Sequence, residues 1–137
     1  MKKIFLMCFV VIVLLQGCGR SHIAGEPDIV SSISMNQDYY LTVVANCDVI
    51  ENKHEFAWKL IKMCRENSFR TIKFSTDQGF ATRIQISVYL WQDEIKGNES
   101  VMEIIYEPEE DNMNYNIVIN HDKFNLYVDG ELVGEVI

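Results

Sequence analysis

Asn52-Lys53-His54-Glu55-Phe56-Ala57-Trp58-Lys59-Leu60-Ile61-Lys62-Met63-Cys64-Arg65-Glu66-Asn67 is the stretch whose reading decides the fold class. At ~100° per residue, Phe56, Ala57, Leu60, Ile61, Met63 and Cys64 gather on one broad face of a helix. Glu55, Trp58, Lys59, Lys62, Arg65 and Glu66 fall on the other side. Asn52 is placed to cap the N-terminus, with Glu55 at the capping-box position three residues on. Asn67 suits the left-handed residue that closes many helices.

Around this helix the chain alternates with the period of strands. Residues 39–46 set Tyr39, Leu41, Val43 and Ala45 against Tyr40, Thr42 and Val44, apolar on both faces, as an interior strand would be. Residues 29–34 are too short to assign. Residues 70–75, with Ile72 and Phe74 on one side, read as a strand after the helix. Residues 81–91 carry the cleanest alternation. Ile84, Ile86, Val88 and Leu90 face one way, and Arg83, Gln85, Ser87, Tyr89 and Trp91 the other, as in an antiparallel sheet with one face on a core. Residues 100–107 continue the core face through Met102, Ile104 and Tyr106, and residues 115–120 read as a further strand. Residues 124–128 and 131–137 flank Asp129-Gly130, a favoured pair for a two-residue type I′ hairpin turn. The expected class is α+β: one amphipathic helix packed on a mostly antiparallel sheet, in strand-helix-meander order.

The chain of 137 residues is long enough for one domain and too short for two. It begins with Lys2-Lys3, an apolar run over residues 4–15, and Leu15-Gln16-Gly17-Cys18. A basic start and a short apolar run match a secretory signal, since a membrane-spanning helix needs about 20 apolar residues. The run ending at Cys18 resembles the lipobox of bacterial lipoproteins, with Gln16 replacing the small or aliphatic residue usual there. The resemblance implies a diacylglyceryl thioether on Cys18 and cleavage just before it. It places the mature protein on the outer side of a bacterial cell membrane, held by that lipid. The expected organisation is a signal peptide over 1–17, a lipidated tether over 18–35 and a single α+β domain over 36–137.

Net charge is −8 for the whole chain, and the two lysines that precede the apolar run leave with the signal. Residues 18–92 hold 8 basic and 8 acidic side chains, whereas residues 93–137 hold 2 and 12. Such a domain is a poor partner for nucleic acid or anionic lipid, and a cationic partner fits it better. Cys47 and Cys64 remain as thiols. The helix carries Cys64 about 16 Å beyond its start, at ~1.5 Å per residue, which is too far for a bridge to Cys47.

No motif in the chain calls for a cofactor or assigns a catalytic residue. His22, His54 and His121 each lack a second ligand at metal spacing. Glu109, Glu110 and Asp111 offer oxygen ligands of the kind calcium takes, but without the order of a calcium loop, and read as a solvated acidic turn. Trp58 lies about 200° round from Phe56, at ~100° per residue, beside Arg65. Trp and Arg are favoured at binding hot spots, which makes this pair a candidate contact unless a neighbouring segment covers it. Tyr89 and Trp91 stand opposite the aliphatic row of their strand and form the second candidate. The expectation is a lipid-anchored extracytoplasmic module, an adaptor or inhibitor that recognises a protein or peptide. Its rival is a small extracytoplasmic enzyme or metal-dependent domain using the acidic C-terminal third.

Overall fold

The computed structural model describes residues 23–75, 79–110 and 114–134. Residues 1–22, among them the expected signal and Cys18, and Asp111 lie outside these residues. Six strands, β1 (Asp28–Met35), β2 (Asp38–Val44), β3 (Arg83–Tyr89), β4 (Met102–Pro108), β5 (Phe124–Val128) and β6 (Glu131–Val133), form one sheet in chain order. The helix α1 (Lys53–Glu66) stands between β2 and β3. Every neighbouring pair is antiparallel except β2 and β3, which run parallel from Asp38↔Arg83 to Val44↔Tyr89. Parallel neighbours need a long crossover between them, and α1 with residues 67–82 supplies it. The α+β architecture with a mostly antiparallel sheet is therefore what the alternation and the helix pattern require.

Helix α1 is closed at both ends as its sequence indicates. Asn52 Oδ1 accepts the Glu55 N–H at 3.1 Å. Asn67 adopts φ 54°, ψ 44°, while the Ser68 and Asn67 N–H groups return to the Met63 and Cys64 carbonyls. This double closure satisfies carbonyls that the last turn leaves without partners. Ala57, Leu60, Ile61 and Cys64 are buried from α1. They meet Ile84, Ile86, Val88, Met102, Ile104, Tyr106, Leu126 and Val128 from one face of the sheet, and together these form the core. Cys47 and Cys64 are both free. Burial holds the Cys64 thiol far above its usual pKa, so it packs as a small hydrophobe.

Three segments differ from their sequence pattern. Residues 28–35, counted in the tether by sequence, form the edge strand β1, pinned by the buried Ile29 and Asp28. Residues 70–75 are not a strand. Their backbone groups are taken by side chains instead: Asn67 accepts from Phe74 N at 2.8 Å and donates to Phe74 O at 3.0 Å, and Asp28 accepts from Thr71 N and Thr71 Oγ1. A backbone served this way has no need of a ladder. The segment lays Phe74 against Tyr39, with ring centroids 4.8 Å apart, and so roofs part of β2. Residues 115–120 are turns, because Asn116 Oδ1 accepts from Val118 N and Ile119 N while Asn120 Oδ1 accepts from Asn116 N. At the other end, Asp129 and Gly130 have φ 49° and 84°, the left-handed pair that a type I′ turn requires, and join β5 to β6.

Candidate functional site

The helix covers one face of the sheet. The other carries Arg83, Gln85, Ser87 and Tyr89 of β3, all half-buried and alternating with the buried Ile84, Ile86 and Val88. Register assembles a feature on this face that no single strand contains. Ile33 pairs with Tyr40, Tyr40 with Gln85, Gln85 with Ile105, Ile105 with Tyr127, and Tyr127 with Leu132. One residue from each of the six strands thus lies in a single cross-strand row about 24 Å long, at ~4.8 Å per strand spacing. Five of the six side chains are aliphatic or aromatic. Ile33 and Leu132 at its ends are 56% and 62% exposed, and Met35 beside Ile33 is 59% exposed.

Polar rows border it. On one side Ser31, Thr42, Ser87 and Glu103 are aligned by register. The Glu103 carboxylate accepts from Ser87 Oγ at 3.0 Å and from Ser100 Oγ at 2.6 Å. On the other side stand Asp38, Arg83 and Glu107, with Arg83 Nε 3.0 Å from Glu107 Oε2 and Asp38 accepting from Thr82 Oγ1. Carboxylates outnumber the single guanidinium. At the end of the face Asp129 accepts from Glu103 N at 2.9 Å and pairs with Lys53 of α1 at 3.0 Å. The first of these bonds, then Lys53, holds the Asp129 carboxyl below the usual range. What the face offers is apolar contact area with an acidic border.

The four residues singled out for binding do not come together. Tyr89 ends β3 on the open face, and its carbonyl accepts from Ala45 N. Trp91 lies past the strand, half-buried, with Nε1 donating to Asp48 Oδ1 at 3.1 Å. Trp58 and Arg65 are across the sheet on α1. Trp58 is half-buried: its Nε1 donates to Gly134 O at 2.9 Å and its ring meets Tyr106 edge-on, so Gly134 and Tyr106 engage a side chain that periodicity assigns to solvent. Arg65, in the last turn of α1, is also half-buried. Glu109 and Glu110 are exposed, and His121 is exposed in a single 3-10 turn. Among the described residues, no three His, Cys, Asp or Glu side chains converge as a metal site would require. Ile33, Met35, Tyr40, Tyr127 and Leu132 are the face residues that sequence reasoning passes over. Alternation within each strand is the only local signal for them, and it does not show which strands are neighbours.

No family model matches the chain, and neither the curated proteins nor the solved structures include a match.

Proposed function

We propose that this chain is a lipid-anchored extracytoplasmic binding module, an adaptor or inhibitor that takes a protein or peptide on the helix-free face of its sheet. The observation that carries this reading is the apolar row from Ile33 to Leu132. Side chains left partly in water add little to folding, whereas aromatic and aliphatic area bordered by polar groups is the usual composition of a recognition surface. Tyr40 and Tyr127 supply area at low cost in side-chain entropy. The carboxylates along both borders favour a partner whose own apolar stripe is flanked by lysine or arginine. The anchor follows from the lipobox ending at Cys18, and it would present this face to partners in the envelope.

Photo-cross-linking in intact cells tests both halves. A photoreactive residue at Tyr127 should capture one discrete species that the same residue at Lys59, on the outer side of α1, does not. Ile105→Glu should abolish that capture with the fold intact by circular dichroism. Cys18→Ser should release the protein from membranes or leave its precursor unprocessed. Equal capture from both positions, or capture that survives Ile105→Glu, removes the open face as the site.

A further inference from the structure

The first strand is an edge unlike those of proteins that work alone. Its residues 31–35 are all exposed, on both faces and along the free side. Exposed strand edges ordinarily carry a device against pairing with other chains: shortness, charge, proline or a bulge. The opposite edge, β6, is three residues long and begins with Glu131. By contrast β1 has eight residues, no proline, and an irregularity confined to the step between Ile29 and Ser31. No charged side chain occurs from residue 29 to residue 37. Asp28, the one carboxylate of the strand, is buried and engaged by Ile29 N and Thr71. From Ser31↔Thr42 to Met35↔Asp38 the pairing with β2 is regular, so the outward backbone groups of residues 31–35 form an ordered template.

The facing of these residues is also inverted. Ser32 and Ser34 pair with Leu41 and Tyr39 on the helix side of the sheet, while Ile33 and Met35 lie on the open face. A strand whose hydrophobic set points to solvent is out of keeping with a free surface.

We infer that residues 31–35 of β1 pair antiparallel with the same residues of a second copy, joining two six-stranded sheets into one. A twofold pair places each residue opposite itself or its symmetry mate. Centred on Ile33, it sets Ile33 against Ile33 on the open face, Ser32 against Ser34 on the other, and Ser31 against Met35. In a chain of net charge −8, a carboxylate within residues 31–35 would oppose such a pair, and residues 29–37 have none. The match between this edge and itself is the argument for a second copy over a different chain. Pairing also joins the two cross-strand rows end to end at Ile33, from Leu132 of one copy to Leu132 of the other. A contact of five residues per copy is smaller than the ~1,200 Å² that stable interfaces bury, so the dimer is weak in dilute solution and fills as the protein is concentrated.

The test uses the full chain with one added thiol. Ile33→Cys, treated with a short bifunctional thiol reagent, should give a covalent homodimer at least ten times faster than wild type or His54→Cys, whose new thiol stands on α1. Independently, Ile33→Lys sets two ammonium groups opposite each other and should raise the dimer dissociation constant at least tenfold in sedimentation equilibrium. Ile33 is 56% exposed, so both variants keep the monomer fold, which thermal melting checks. Three results would each overturn the inference: cross-linking of Ile33→Cys at the control rate, a monomer at all concentrations, or a dimer indifferent to Ile33→Lys. A cross-linked product with a different protein in place of the homodimer would do the same.

Discussion

Ile104 and Ile105 are consecutive residues of one strand, with the same chemistry and the same ladder, yet they belong to different parts of the protein. Ile104 is fully buried under α1, among Ile84, Ile86 and Leu126. Ile105 is half-exposed on the open face, between Gln85 and Tyr127. The two faces of this sheet show that hydrophobicity alone does not decide which side of a strand is buried. Cover does, and it is supplied by what the chain lays on one face: α1, the loop over residues 70–75, and Gly134 against Trp58. Most of the buried apolar side chains therefore lie on one side, and on the other Val44, opposite Tyr89, is the fully buried exception.

Substitution of this pair should break the symmetry of chemistry most sharply. Ile104→Ala should lose about 2–5 kcal/mol in urea melts, as cavity-forming truncations of buried aliphatics do. Ile105→Ala, which removes atoms already partly in water, should lose less than about 1.5 kcal/mol. Equal losses would mean that both faces are packed.

A smaller effect is expected where the covered face owes its roof to one side chain. Asn67→Ala removes the two bonds to the Phe74 backbone and places a less tolerant residue at φ 54°. It should cost about 1–3 kcal/mol. Asn67→Gly keeps the left-handed closure and loses only the clamp, so the difference between the two variants isolates the cost of the helix end. Phe74 should lose its packing on Tyr39 in both, read as increased hydrogen exchange over residues 70–75.

The smallest effect lies at the rim where the two faces meet, at Asp129. Its carboxyl pKa is lowered in the folded state, first by the Glu103 N–H and then by Lys53. A depressed carboxyl pKa stabilises the fold above the unfolded value of about 3.9, and that contribution disappears as pH falls through the lower folded value. Asp129→Asn keeps a residue suited to the left-handed turn and removes the charge. It should cost under about 1 kcal/mol near neutral pH, because the pair with Lys53 is solvated. The gap between variant and wild type should close below about pH 4. A gap that stays constant to pH 2 would place the contribution in the turn itself.

Much of the covered face is legible in the chain. The apolar stripe of α1, its two asparagine ends, the alternation of β3 and β4 and the Asp129-Gly130 turn are all local patterns. The row on the other face is hardly legible at all. Tyr89 is found, but Tyr40, Tyr127 and Leu132 become neighbours only through pairing. Trp58 misleads, since helical period cannot register that Gly134, far along the chain, accepts its indole N–H.

By itself, then, the sequence determined the elements whose causes lie within a few residues: a helix with its caps, strands with one apolar side and a tight hairpin. Tertiary structure alone decided that residues 28–35 form an edge strand of the sheet, that β2 and β3 run parallel, and that six side chains align in one row. It also decided that residues 70–75 and 115–120, strand-like in composition, are loops. There the asparagine side chains of Asn67, Asn116 and Asn120 take the backbone groups that a neighbouring strand would otherwise hold. The physical reason is range. Periodicity and capping act over a turn or a dipeptide, whereas register and cover depend on which distant segments the core brings together.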